Sequence, residues 1–464
     1  MSNTLTIIVL IVYLAFMFGI AWYFSRKESL EAYFLNKRKT GLWFLALSSV
    51  ATMVGAGSTV AIVSETYNTG ISYGIAIPIA GVAGALILGF VAKRIKSFGE
   101  KHHAYTLVDF FEKRFDTKNK ILSFFLQIFL MISWTATQAI AIAALATILV
   151  GVNYNFALFL AAAVTILYTA IGGMKIDFIT DFIQFWIILI VFLILAGFGY
   201  SEVGSFSSLI GQLPSGHLDP FAFGGVSWFV ALIIFSGFLF LGGSHTWQRI
   251  VSAKSGRTAR KSFFIAIPLL LAIGLIVLFL GMLSKVLLGD INPDTAIFTL
   301  IDSILPPYLV GVGLAAILAA IMSSVDSNLI GGSTIVFRAI FRTREFSGRK
   351  EVLYARLITI FFGIISFGIA FLVPKIVTMA LFSTYLAVII AIPVMFGLYW
   401  KKLSANASFY ALLLSTISLL ILFPILREMS FVVPMILTLG ILIFYDKIFK
   451  KKDKTLLEIA GFEE

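Results

Sequence analysis

The sequence predicts an all-α integral membrane protein with thirteen transmembrane helices, and three observations carry that prediction. Mean hydropathy is +1.02, and 60% of the 464 residues are hydrophobic against 12% charged, a balance foreign to soluble globular domains. Apolar runs near the roughly 20 residues that a spanning helix needs recur at 4–25, 41–64, 72–92, 121–150, 155–173, 178–200, 226–248, 262–288, 308–337, 352–373, 376–400, 405–424 and 430–446. When these runs are threaded alternately, all of the 35 Lys and Arg except Lys285, Lys375 and Arg427 fall on one face. The positive-inside rule then sets the N-terminus outside and the C-terminus inside a cell membrane. The net charge of +12 therefore reads as topology, not as a nucleic-acid surface.

Taken in order, the first run follows Met-Ser-Asn without a basic leader, so it reads as a retained helix. With the basic loop after it, it forms a leading unit, 1–40. The second run, FLALSSVATMVGAGSTVAIV, carries Gly55 and Gly57 in its middle, and the seventh, ALIIFSGFLFLGGSHTWQRI, carries Gly237, Gly242 and Gly243. A glycine in a helix interior costs about 1 kcal/mol relative to Ala, so both runs are expected to unwind. Each opens a block of five runs, 41–200 and 226–400, the second block entering the membrane from the opposite side. Broken helices at matching positions of inverted halves point to a transport site at the midplane. Residues 201–225 form an outer loop, and 401–464 hold two accessory helices and a basic tail.

Between these landmarks, HAYTLVDFFEKRFDTKNK over 103–120 places Leu107, Phe110, Phe111 and Phe115 on one helical face, with Thr106 and Asp109 spaced as a capping box. It is expected to lie on the membrane surface. Trp134, Thr137 and Gln138 form an aromatic and polar patch on the fourth run. On the sixth, Asp181 is a candidate buried carboxylate, while Asp177, one turn nearer the interface, is expected to be solvated. His245 is the one histidine within a predicted span.

The ninth run contains AAIMSSVDSNL. Ala320, Ser323, Ser324 and Ser327 share one helical face, and two adjacent hydroxyls plus unwound carbonyls near Ala51 and Val54 suit a small hard monovalent cation. Asp326 is a functional candidate by its depth alone, since a carboxylate at mid-bilayer costs about 2.5–3.5 kcal/mol on insertion scales. The absence of cysteine, of a phosphate-binding loop, of H-E-x-x-H and of a nucleophile elbow argues against an enzyme or an ATP-driven pump.

ALSSVATMVGAGS, YTLVDFFEKRF, YTAIGGMKIDFITDFIQ, WQRIVSAKS and AAIMSSVDSNL together resemble the sodium/solute symporter family over about residues 30–400. The resemblance implies a LeuT-like 5+5 inverted repeat with one helix before it and two after. It implies Na+ held by carbonyls of Ala51, Val54 and Ala320 with hydroxyls of Ser323 and Ser324, and a second sodium drawing on Asp181, Asp326 and Ser327. A small organic solute would lie near Thr52, Met53, Gly55, Ser58, Trp134, Gln138, Gly243, Ser244 and His245. Met53 stands where choline-type relatives carry an aromatic, which argues against a quaternary ammonium, and Ser58 argues against a sugar. The expected activity is sodium-coupled import of a neutral, zwitterionic or monocarboxylate solute across the lipid bilayer. Proton coupling on the same fold and a membrane solute sensor are the competing readings.

Overall fold

A computed structural model describes residues 3–25, 29–150, 153–341, 349–372 and 376–449. The basic residues expected in 342–348, Lys375, and those of the tail beyond 449 lie outside the described residues. Among the described residues the architecture is helical, with no strand. The helices are α1 Asn3–Phe24, α2 Leu30–Leu35, α3 Leu42–Met53, α4 Val60–Thr69, α5 Ile71–Lys101, α6 Leu107–Arg114, α7 Thr117–Val150, α8 Tyr154–Val203 and α9 Phe206–Gln212. There follow α10 Gly225–Ser236, α11 Ser244–Ser252, α12 Gly256–Leu287, α13 Ala296–Ile304, α14 Pro307–Ile340, α15 Arg349–Leu372, α16 Ile376–Tyr399, α17 Ala405–Leu426 and α18 Val432–Phe449.

Ten of these helices are long and apolar enough to cross a membrane, or eleven when the bent α3–α4 pair is counted as one span. The expected fifth and sixth spans form the single 50-residue α8, broken inside at Gly173, where φ is +63°. At 1.5 Å per residue α8 contains about 75 Å of helix, against a hydrocarbon core of about 30 Å. Glycine is required at that break, because the conformation is left-handed and an added Cβ would press on the Tyr33 ring at 2.6 Å. The expected seventh span is divided into α10, a 3-10 turn over Leu239–Gly242, and α11.

α14 is the most enclosed of the long helices, with 83% of its apolar window buried, and it packs against α1, α7, α8 and α15. Lipid-facing helices such as α1 and α17 bury 22% of theirs. α5 lies along α12, so the helices that follow the two broken ones are paired. Thr40, just before α3, and Ala253, just after α11, form an isolated parallel bridge, with Thr40 N–H on Ser252 O and Lys254 N–H on Thr40 O, both 3.0 Å.

Residues 107–114 are helical, and the Thr106–Asp109 capping box is present. The helix is not a surface element, however. Phe110 and Phe111 are fully buried, Phe110 packs on Trp247 and Phe98, and Arg114 donates to the carbonyls of Gly397 at 2.9 Å and Trp400 at 3.0 Å. Burial lowers the Arg114 pKa to about 10. Periodicity identified the apolar face correctly; what covers that face is protein, not lipid.

Candidate functional site

α3 ends at Val54, whose φ of −99° and ψ of 61° leave the helix, and the chain bends by 74° before α4. Gly55 has an ordinary φ of −93°, so glycine is needed there for space. An added Cβ would overlap Ser324 Oγ and lie 2.9 Å from Gln138 Oε1. In the other broken span, a Cβ on Gly242 would run into the Ala387 carbonyl, and one on Gly243 would lie 2.7 Å from Trp134 and 2.8 Å from His245. Helix unwinding, expected from the sequence, and close packing thus occur together at these glycines.

The unwound end of α3 meets the middle of α14. Ser323 Oγ lies 2.9 Å from both the Ala51 and the Ala320 carbonyl oxygens, and Ser324 Oγ donates to Thr52 O at 2.8 Å. Three oxygens from two helices thus share the single proton of Ser323, leaving electron pairs directed at one another. Such a cluster is complementary to a small cation. Thr52 O enters the cluster where sequence reading had named only Ala51 and Val54 on this helix.

One turn toward the basic face, the arrangement differs from expectation. Arg249 is 2% exposed, and its Nη2 donates to Asp177 Oδ2 at 2.8 Å, to Asp181 Oδ2 at 2.8 Å and to Ser327 Oγ at 2.6 Å. Asp181 Oδ2 also accepts from Ser48 at 2.6 Å and Thr52 at 3.2 Å. Asp177 is therefore buried and paired, not solvated. Asp326 belongs to a different surround: its Oδ1 lies 2.5 Å from Thr169 Oγ1. Asp181 and Ser327, grouped with Asp326 as ligands of a second sodium, are instead gathered by a guanidinium. Arg249 was visible only as one of the two basic residues of WQRIVSAKS, where hydropathy suggested a loop; α11 carries it inward.

On the other side of the breaks lies a cavity of about 130 Å³. Thr52, Met53, Gly55, Ser58, Trp134, Gln138 and His245, named from the sequence, line it together with Ser324, Asn328, Tyr73 and Thr384, and no charged side chain does. Gly243 lies directly behind Trp134 and His245. Ser244 faces away, its N–H and hydroxyl both on Gln127 Oε1 at 3.0 and 2.8 Å, while Gln127 Nε2 holds Gly242 O at 2.5 Å. Gln127 thereby fixes the second break, a role its place in an apolar helix did not announce.

The sequence pattern of the Sodium:solute symporter family matches residues 33–415. A sodium/pantothenate symporter of Haemophilus influenzae is 26% identical over 447 residues, covering 90% of each chain. A sodium/proline symporter of Staphylococcus aureus is 29% identical over 429 residues, 87% of this chain and 83% of the relative. Among solved structures, the substrate-bound outward-open state of a Na+-coupled sialic acid symporter superimposes with a TM-score of 0.79 at 21% identity, covering 96% of this chain and 98% of that one. Mhp1, a nucleobase-cation-symport-1 family transporter in a closed conformation, gives 0.59 at 14% identity, covering 92% and 98%. With the broken helices, the serine pair of α14 and a match over most of its length, the chain is a transporter belonging to the sodium:solute symporter family.

Proposed function

We propose that the protein imports a small organic solute by alternating access, coupled to sodium held by Ala51, Val54, Ala320, Ser323 and Ser324, with the basic face in the cytoplasm. The observation that carries the reading is Ser323 Oγ at 2.9 Å from carbonyls of two different helices. A cation there ties unwound α3 to α14 and so favours the arrangement in which the cavity opens away from the basic face. When sodium leaves, that tie is lost and the inner seal is free to separate. Sequence-level exclusion of nucleotide motors and the family membership both support secondary active transport.

The solute occupies the cavity beside the two breaks. An apolar cavity of roughly 150 Å³ holds one benzene-sized molecule, so about 130 Å³ fits a solute of about six heavy atoms. The uncharged lining favours a neutral, zwitterionic or monocarboxylate solute over a strongly ionic one. The test is binding of a solute panel to purified protein in sodium and in potassium buffer, with Ser323→Ala/Ser324→Ala beside it. Sodium-dependent binding that the double variant loses supports the reading. Uptake that ignores sodium and follows an imposed pH gradient transfers the coupling to protons, and binding without flux in proteoliposomes indicates a sensor.

A further inference from the structure

The two breaks resume in the same way. Gly55 precedes the 3-10 turn Ala56–Ser58 and Gly243 precedes α11, and neither glycine has a side chain with which to cap the turn that follows it. The first N–H past each glycine is nonetheless taken. Ala56 N–H is accepted by Gln138 Oε1 at 2.7 Å, from 82 residues away, and Ser244 N–H by Gln127 Oε1 at 3.0 Å, from 117 residues away. Helix caps ordinarily come from a Ser, Thr, Asp or Asn at the start of the helix itself. Here both come from α7.

Space explains the exchange. A Cβ on Gly55 would lie 2.9 Å from Gln138 Oε1, and one on Gly243 would lie 2.7 Å from Trp134, so a residue able to cap from within would displace the side chains of α7. Gln127 is bound at both ends, its Nε2 donating to Gly242 O at 2.5 Å while Oε1 also accepts the Ser244 hydroxyl at 2.8 Å. It is fully buried and takes no part in lining the cavity. Gln127, Trp134 and Gln138 stand at i, i+7 and i+11 of α7, within about 20° of one line and spanning about 16 Å. Trp134, between the two glutamines, meets the His245 ring edge-on at 5.0 Å.

We infer that α7 caps both broken helices in trans, with Gln138 and Gln127 as positioning residues of the transport site. Gln138 holds the first break so that its carbonyls face Ser323 and Ser324, and Gln127 holds the second so that Gly243 and His245 rest on Trp134. One continuous helix thereby fixes the spacing of the two breaks. The consequence for sodium rests on the symport reading above; the capping itself does not.

The experiment follows backbone amide exchange by mass spectrometry on the protein in nanodiscs, and measures the sodium concentration that gives half-maximal thermal stabilisation without solute. Gln138→Met should raise exchange over 54–58 by about tenfold or more, as expected for a lost hydrogen bond, and raise the sodium requirement to a similar degree. Gln127→Met should raise exchange over 242–246 alike and change the sodium requirement by less than about threefold. Gln138→Glu keeps the accepting oxygen, so it should neither speed exchange nor raise the sodium requirement by more than about threefold; a side chain that only fills space would not separate glutamate from methionine in this order. Should a methionine variant fail to fold, the asparagine variant, one carbon too short to reach, is read in its place. Exchange that rises equally at both breaks in either variant, no rise at all, or a Gln138→Glu protein as disturbed as Gln138→Met would overturn the inference. Break-specific exchange in a protein that sodium does not stabilise would uphold the capping and overturn the sodium assignment instead.

Discussion

The two sides of the helix breaks are built from different chemistry. Toward the basic face, the Arg249 guanidinium joins Asp177, Asp181 and Ser327 from α8 and α14, Lys96 Nζ donates to Val251 O at 2.8 Å, and Arg338 pairs with Asp109 at 3.1 Å. Away from it, the cavity is lined without charge, and the outer contacts are fewer and nearer solvent: Tyr67 OH on Gly289 O at 2.6 Å, Ser64 on Asp294 at 3.0 Å, and Ile71 N–H on His217 O at 2.8 Å. Closure on the basic face thus depends on directional, multi-partner bonds. The opposite side depends on shape. A seal of the first kind holds or releases as a unit, whereas a lining of the second kind adapts to what enters.

The largest test of this contrast is Arg249→Leu. Removing one member of a buried ion cluster costs about 3–5 kcal/mol, so thermal unfolding of the purified variant should shift strongly downward, and its inner face should become accessible to water-soluble thiol reagents at an introduced Thr40→Cys in this cysteine-free chain. Next in size is Ser323→Ala/Ser324→Ala, expected to raise the sodium concentration for half-maximal solute binding at least a hundredfold, about 2.7 kcal/mol. Gly242→Ala comes third, since its Cβ meets the Ala387 carbonyl; overpacking of this sort costs about 1–3 kcal/mol, visible as a lower Tm that saturating sodium only partly restores. Arg338→Gln is the smallest. Its partner Asp109 is nearly buried but Arg338 itself is 34% exposed, so about 1 kcal/mol or less is lost, and faster sodium release should be its main signature.

Much of this site was legible in the sequence because polarity in an apolar run is conspicuous. Ser323, Ser324 and the glycine pairs announced themselves against their surroundings, and helical spacing put the serines on one face. Arg249 was hidden for the converse reason: a basic residue at the end of a hydrophobic run looks like a loop residue, and nothing local records that α11 turns it inward. Asp177 was misread with it, since depth inferred from hydropathy ignores a partner arriving from 72 residues away. Which end of the Gln138 amide stays free depends on the Ala56 N–H that its oxygen accepts, which only the folded chain specifies. Asn328 and Gln127 carried no signal beyond being polar.

α14 binds these observations into one mechanical part. From Pro307 to Ile340 it is an uninterrupted rod of about 50 Å. It carries Ser323 and Ser324 at its centre and Asn328 beside the cavity, while Ser327 touches the Arg249 cluster and Arg338 pairs with Asp109 on the basic face some 20 Å further on. A rod without a hinge cannot report a cation at one point and remain still at another. Whatever tilts α14 at Ser323 also moves Arg338, so the serine pair and the Arg338–Asp109 contact are the near and far points of one lever.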